Sequence, residues 1–197
     1  MPASPSPLSA LFPPAVTPEL PARERILWTA YSLFYCDGVR ATGIDKVIAE
    51  AGVTKVTFYR HFPSKNDLVL AFLQERHVRW MAWFDEALQR HGNSPRALAP
   101  ALGEWLCDAT FRGCAFLNTS AELGATVPEV CAAALEHKDD VSARIQALLP
   151  PSRQRAAHAR LLCMVMDGAI ARALYEGSPH AALAGLAHAV ALLPAGR

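Results

Sequence analysis

The chain has 197 residues, of which 52% are hydrophobic and 19% are charged, and its formal net charge is +1. This composition indicates one or two globular domains with a sizeable core and excludes a disordered chain. A net charge this close to zero also excludes a general positive field, so any binding of nucleic acid must come from a local basic patch.

The patterns of cysteine and histidine predict no disulfide framework, metal site or cofactor. The five cysteines are Cys36, Cys107, Cys114, Cys131 and Cys163. Their number is odd and no C-x-x-C pair occurs, which argues against disulfides and structural zinc and fits a cytoplasmic location. The N-terminus lacks a signal-peptide pattern, and the longest apolar stretch, 161–173, contains Asp167 and Arg172. Neither export nor a membrane span is therefore expected.

The first 38 residues divide into a tail and a helix. Residues 1–20 are rich in proline and have no hydrophobic periodicity, which predicts a disordered tail. A first helix is predicted from Pro21, a residue favoured in the first helical turn, to Gly38, which ends it. Its apolar residues recur at helical spacing, as expected for a helix that packs beneath the next two.

Residues 42–65, TGIDKVIAEAGVTKVTFYRHFPSK, predict two short helices joined by a tight turn. Gly52 lies at the turn, where its conformational freedom is needed. Thr42, followed three residues later by Asp45, has the pattern of a capping box at the start of the second helix. Thr54 is placed to cap the third helix, which is expected to extend to residue 62.

This helix pair is predicted to read DNA. No acid lies between positions 50 and 67, whereas that interval contains Lys55, Arg60, His61 and Lys65. In a helix-turn-helix, the N-terminal residues of the second helix reach base edges in the major groove. That geometry assigns base reading to Thr54, Lys55 and Thr57, with hydroxyl and ammonium donors. Phe58 and Phe62 are assigned to the core.

Six further helices are predicted, and no strand or hairpin pattern occurs. Their expected spans are about 64–91, 94–111, 114–123, 128–149, 152–176 and 178–193. The prediction is an all-α chain of about nine helices. It has a three-helix DNA-binding domain at 21–67 and a larger helical domain at 68–197.

The run Ala49–Leu68, AEAGVTKVTFYRHFPSKNDL, carries a resemblance to a known family. Through it, residues 23–73 resemble the DNA-binding domain of the TetR family of transcriptional regulators. The run 112–123, RGCAFLNTSAEL, is similar to a segment of the ligand-binding domain in one subgroup. Val56 and Ile48 depart from the usual pattern, because many members have smaller residues there. A valine near DNA can contact a thymine methyl group.

The resemblance implies further contacts to DNA and a dimer. Phosphates would be contacted by Thr42, Tyr59, His61 and Lys65, and Arg60 could reach either a phosphate or a base. The eighth and ninth helices of two subunits would form a four-helix interface, although part of each apolar stripe must also face its own core. The interface residues expected from these stripes are Leu162, Val165, Met166, Ala169, Ile170, Ala173, Leu186 and Val190.

The resemblance also implies a small-molecule pocket within helices 4–8, which are rich in large side chains. Its expected lining residues are Trp83, Trp105, Cys114, Phe116, Asn118, Glu122 and Met164. In most proteins such residues form an ordinary core. Cys114 lies beside Arg112 at a predicted helix start, which leaves open that it is a redox-sensing thiol. The same alternative is open for Cys107.

The expected function is that of a dimeric regulator that binds palindromic double-stranded DNA, most simply a repressor released by a small apolar effector. Alternatives are an activator or an effector-independent regulator of the same fold. A carrier or an enzyme with a vestigial DNA-binding domain is a further alternative. No Ser/His/Asp or paired-carboxylate spacing supports an enzyme, and no membrane partner is expected.

Overall fold

The computed structural model describes residues 8–193. Within that range the chain has nine α-helices, two short 3₁₀ turns and no strand. The helices are α1 (Ala22–Asp37), α2 (Ile44–Glu50), α3 (Lys55–His61), α4 (Lys65–Arg90), α5 (Leu98–Leu106), α6 (Ala115–Leu123), α7 (Pro128–Leu148), α8 (Arg155–Glu176) and α9 (His180–Ala191). The predicted all-α class is confirmed.

Two compact units make up the described chain, and α4 supplies residues to both. The first unit contains Ser9–Arg79 and Ala115–Ala134, and the second contains Trp80–Cys114 and residues 135–193. This division falls after Arg79 within α4, whereas the predicted functional boundary is residue 67. The first turns of α4 belong with α1 because Phe72 packs edge-on against Tyr31, at a ring-centroid distance of 5.2 Å.

The helix ends follow local chemistry. Gly38 and Gly177 end α1 and α8 with φ of 89° and 68°, a conformation that strains other residues. Ser64 caps α4 as predicted, since the Asp67 amide donates to the Ser64 hydroxyl at 3.2 Å. The Asp67 carboxylate accepts from that hydroxyl at 2.7 Å. The turn between α2 and α3 lies at Gly52, where φ is 61°.

The start of α2 differs from the prediction. The residue before α2 is Gly43 rather than Thr42. The Thr42 hydroxyl instead donates to the Gly38 carbonyl at 2.8 Å, and its side chain is buried. Thr42 therefore ties the α1–α2 connection together. Because this partner lies four residues upstream, the capping pattern downstream gave no sign of it.

The described part of the predicted tail also differs from expectation. Residues 9–11 form a 3₁₀ turn, and Leu11 is completely buried. The Leu11 carbonyl accepts a hydrogen bond from the Tyr31 hydroxyl at 2.7 Å. Residues 1–7 lie outside the described part of the chain, so the expectation for them stays a prediction.

An aromatic cluster fills the second unit. Trp80 stacks on Phe84, at a centroid distance of 4.7 Å, and meets Trp83 and Trp105 edge-on at 5.6 and 6.0 Å. The imidazole of His137 also packs edge-on against Trp80. Large rings packed in this way contribute more than their buried area alone. Within residues 8–193, no helix combines the length and apolar character needed to cross a bilayer.

Candidate nucleic-acid interface

Two buried rings anchor α3 in the first unit. Phe58 is inaccessible to solvent and Phe62 nearly so, and their ring centroids are 6.4 Å apart. Arg23 of α1 stacks over the Phe62 ring at 5.3 Å. Because these rings point into the core, the opposite face of α3 must point to solvent.

That solvent-facing side carries most of the predicted DNA contacts. Its exposed side chains are Thr54, Lys55, Val56, Tyr59, Arg60 and His61. Thr57 is half-buried beside them. Val56 is 70% exposed, which suits it to contact with a thymine methyl group. We call this face of residues 54–61 the reading face.

The start of α3 is fixed by Thr54. Its hydroxyl accepts a hydrogen bond from the Thr57 amide at 3.1 Å, which confirms the predicted cap. The two threonine hydroxyls lie 2.9 Å apart. This cap leaves Thr54 exposed while it fixes the first turn of α3, so the proposed base-reading residues emerge from a defined backbone.

Arg25 of α1 holds the turn before the reading face, a contact that the sequence did not predict. Its Nη1 donates to the Gly52 carbonyl at 3.3 Å. This bond joins α1 to the turn between α2 and α3. The two residues are 27 positions apart, so no local pattern signals their pairing.

Acidic side chains reach the basic residues from other elements. Lys55 Nζ lies 4.0 Å from Asp45 Oδ1 on α2, and both side chains are largely exposed. An exposed pair of this kind contributes little to stability, so the lysine remains available to a stronger anion. Residues 51–66 therefore contain no acid in the sequence, but an acidic side chain lies near them in space.

Lys65 is half-buried at the start of α4. Burial lowers the pKa of its ammonium group, and the negative charge of Glu122 on α6 opposes that change. Among the proposed phosphate contacts, Thr42 is the exception, because its hydroxyl is buried and committed to Gly38. We correct that prediction, while Tyr59, His61 and Lys65 keep an accessible surface.

We expect Lys65→Ala to lower the salt dependence of DNA binding and to change the preference between DNA sequences less. Removing one phosphate contact reduces the slope of log K against log salt by about one. Fluorescence anisotropy from about 50 to about 300 mM salt, a range over which phosphate contacts weaken strongly, measures this slope. Arg153→Ala, which removes an exposed charge in the second unit, is the control. An unchanged slope for Lys65→Ala would exclude Lys65 as a phosphate contact.

The predicted pocket residues are divided between the two units. Trp83 and Trp105 are buried in the aromatic cluster of the second unit, whereas Met164 is 65% exposed. Met164 therefore lies at the surface and not in that cluster. Phe116, which is buried, and Asn118, which is half-buried, belong to the first unit.

Glu122 is engaged inside the first unit rather than placed to orient a ligand. Its Oε2 accepts a hydrogen bond from the Arg40 amide at 2.6 Å. A side-chain atom added to Gly38 would lie 3.0 Å from Glu122 Oε1, so the carboxylate lies directly against the α1–α2 connection. We correct the prediction that Glu122 orients an effector.

Cys114 is buried in the second unit beside a lysine. Lys138 Nζ lies 3.7 Å from the Cys114 sulfur and donates to the Asp167 carboxylate. Burial alone would lower the pKa of Lys138, but its anionic neighbours outweigh burial and raise it. Burial also raises the pKa of the adjacent Cys163 thiol to about 11, which keeps that thiol protonated at neutral pH.

Two cavities in the second unit are lined by other residues. One has a volume of about 510 Å³ at the end of α5 and the α8–α9 turn, and Cys107, Phe111 and His180 are among its lining residues. The other is a groove of about 540 Å³ along α8 and α9, which we call the α8–α9 groove. Neither is lined by Trp83 or Trp105.

Most of the predicted interface residues face the core of the second unit. Buried there are Leu162, Met166, Ala169, Ile170, Ala173, Leu186 and Val190, while Val165 is half-buried in the α8–α9 groove. The accessible stripe of α8 is instead Leu161, Met164, Val165, Gly168, Arg172 and Tyr175. Consecutive members of this stripe lie one, three or four positions apart, as on one helical face. Val165, Ala169 and Leu186 of the predicted set also line the α8–α9 groove, so the interface stays a prediction.

Known proteins resemble both the reading face and the whole chain. The family model described as bacterial regulatory proteins, tetR family, matches residues 26–72. The HTH-type transcriptional activator FasR of Mycolicibacterium smegmatis is 45% identical over 56 residues, which cover 28% of this chain. The match spans only 25% of the length of FasR.

Solved structures extend the similarity beyond the DNA-binding segment. SCO4454, a TetR-family transcriptional regulator from Streptomyces coelicolor, is 34% identical and superposes with a TM-score of 0.75 over 86% of each chain. The reduced form of Escherichia coli NemR gives a TM-score of 0.75 at 23% identity, covering 85% of this chain and 94% of NemR. At that identity the likeness to NemR concerns the fold alone.

Proposed function

The chain belongs to the TetR family of bacterial transcriptional regulators, and from that premise we propose that it is a homodimeric repressor that a small apolar effector releases from a palindromic operator. The observation that carries the proposal is the reading face. Phe58 and Phe62 hold one side of α3 in the core and leave Lys55, Val56 and Arg60 exposed on the other.

Some residues of the reading face would contact DNA bases, and others would contact the DNA phosphates. Lys55 and Thr57 stand in the first turn of α3, from which helix-turn-helix proteins reach base edges. Tyr59, His61 and Lys65 follow at positions suited to phosphates, which fix register and not sequence. One such face contacts too few bases for selective binding, so the proposal requires two copies about 34–36 Å apart.

The α8–α9 groove supports the proposed dimer. Its walls include Gly168 and Gly185, at which an added side-chain atom would meet nothing within 4 Å in the protomer. Glycines on exposed helix faces let a second helix approach closely. Met164 and Tyr175 extend an apolar surface along the same side of α8, with exposures of 65% and 70%. Two copies of this surface would form the four-helix contact.

The proposed effector response rests on the cavity at the end of α5. Its volume of about 510 Å³ lies within the range typical of small-molecule sites. Phe111 supplies an aromatic wall, and Cys107, Asp108 and His180 supply polar groups. An effector that binds better to a state unable to hold DNA would release the operator in proportion to that difference in affinity.

Binding to the DNA upstream of the protein's own gene tests the proposal. We expect the full-length protein to bind this DNA more tightly than a scrambled duplex, with affinity falling steeply as salt rises. Addition of small aromatic compounds should release the specific complex. Equal affinity for both duplexes at all salt concentrations would contradict the proposal and would favour a carrier or an enzyme.

A transcription assay distinguishes repression from activation. FasR is named an activator, but its similarity is confined to 56 residues. We expect transcription from the bound promoter to fall when the protein is added and to recover with effector. A rise in transcription would establish activation, and an operator complex insensitive to every compound would support an effector-independent regulator.

A further inference from the structure

The segment 9–12 lies across the first unit and is held mainly through its backbone. The Leu11 carbonyl accepts hydrogen bonds from the Tyr31 hydroxyl at 2.7 Å and from Arg76 Nη1 at 3.4 Å. Arg79 Nη1 donates to the Ala10 carbonyl at 3.2 Å and to the Phe12 carbonyl at 3.1 Å. Three successive carbonyls therefore bind two arginines of α4 and one tyrosine of α1. We call this segment the N-terminal clasp.

Side chains of the clasp complete the contact. Leu11 is completely buried, and the Phe12 ring packs against Tyr35 of α1 at a centroid distance of 6.1 Å. The Arg76 guanidinium lies 5.8 Å from the centre of the Phe12 ring. The clasp thus contacts α1 and α4 at once, through apolar packing as well as hydrogen bonds.

Arg76 makes the clasp and the packing of α1 on α4 interdependent. Its side chain is almost completely buried, its Nη1 also donates to the Tyr31 hydroxyl at 3.0 Å, and its guanidinium stacks over Tyr35 at 4.4 Å. A buried cation needs its hydrogen-bond acceptors, and removing one leaves a large desolvation penalty. If the clasp leaves, Arg76 loses its Leu11 acceptor, which weakens a group that also joins α4 to Tyr31 and Tyr35 of α1.

A second arginine strengthens the same connection. Arg79 stacks over Trp28 of α1 at 4.7 Å and pairs with Glu75 at 2.7 Å. Its guanidinium therefore joins the clasp, α1 and α4. Since α1 also holds the turn before α3 through Arg25, a shift of α1 changes the support of the reading face.

We propose that the N-terminal clasp is a positioning element that holds α1 against α4 and thereby sets the affinity of the reading face for DNA. The inference rests on the proposed function, because one of its effects is measured as affinity for DNA. The clasp lies upstream of residues 26–72, the part of the chain that matches the family model. Residues 14–19, which follow the clasp, are exposed, so a cut there would free it without touching the helices.

Leu11→Ser tests the clasp in the full-length protein. A hydroxyl in this apolar site should release the clasp and raise amide hydrogen exchange in residues 22–37 of α1. Operator affinity should fall by about tenfold, within the usual range of coupling between sites. Val16→Ser is the matched control, because Val16 is exposed and lies in the chain that follows the clasp, and it should leave exchange and affinity unchanged.

A second variant covers the possibility that Leu11→Ser fails to fold. Arg79→Ala removes the bonds to Ala10 and Phe12 at a partly exposed position, and Arg79→Lys should restore part of the affinity. Exchange in α1 and operator affinity both within twofold of wild type in the folded variants would overturn the inference. Wild type that fails to bind its operator would contradict the proposed function instead, and the exchange measurement would still decide the clasp.

Discussion

Gly185→Asp is expected to make the protein monomeric and to weaken operator binding by about 100-fold or more, the usual gain from linking two binding modules. Gly185 lies on the α8–α9 groove, and an added side chain would meet nothing within 4 Å inside the protomer. The variant should therefore fold normally, since aspartate is also a better helix former than glycine. In the dimer, two added carboxylates would lose their hydration inside a closely packed contact.

Ala187→Asp is the matched control for this prediction. Ala187 is exposed on α9 but does not line the groove, so the same charge is added to the same helix on another face. Light scattering should show a dimer for wild type and Ala187→Asp and a monomer for Gly185→Asp. A dimeric Gly185→Asp variant with normal operator affinity would place the dimer contact elsewhere.

Lys55→Ala is expected to give the second large reduction in affinity. A well-placed contact to a base edge contributes about 1–3 kcal/mol, and a dimer on a palindrome would lose two of them. The combined effect corresponds to about 30-fold or more in operator affinity. Anisotropy with the specific duplex and a scrambled duplex measures it, and the reduction should be larger for the specific one.

Asp45→Asn separates a DNA contact from a structural role for Lys55. The two side chains lie 4.0 Å apart, so both substitutions remove the same ion pair. If Lys55 served only that pair, Asp45→Asn would weaken binding equally. If Lys55 contacts DNA, Asp45→Asn should bind at least as tightly as wild type, because it removes a negative charge beside the duplex. Equal weakening by both variants would remove Lys55 from the proposed readers.

Local chemistry was sufficient to predict the helices and several of their ends. Gly38, Gly52 and Gly177 occupy positive-φ conformations where the sequence predicted ends or turns. Ser64 with Asp67, and Thr54 at the start of α3, make the hydrogen bonds expected of caps. Such features depend on neighbours within four residues, so the chain itself shows them.

Contacts between distant residues could not be predicted in this way. Glu122 bonds to the Arg40 amide across 82 positions, and Arg79 bonds to the Phe12 carbonyl across 67. The acceptor in the second case is a backbone carbonyl, which every residue possesses, so side-chain identity gives no signal. The proline content of residues 1–20 therefore led to a prediction of disorder that did not include the clasp.

Periodicity could not select one exposed face of α8 for a related reason. Apolar residues occur on both sides of this helix, with Leu162 and Ile170 buried and Leu161 and Met164 exposed. Periodicity identifies a helical face only when the other face is polar. The packing of α9 on α8 selects which stripe is covered within the protomer, and that choice depends on tertiary structure.

The spacing of the operator half-sites tests the central claim, that two reading faces act together on one palindrome. With the operator defined by selection from random DNA, about five base pairs, half a helical turn, are inserted between its half-sites. This insertion turns one half-site to the other side of the duplex. Anisotropy should then give the affinity of a single half-site, far below that of the intact operator. Equal affinity for the intact operator, the lengthened operator and one isolated half-site would contradict the joint action of two reading faces.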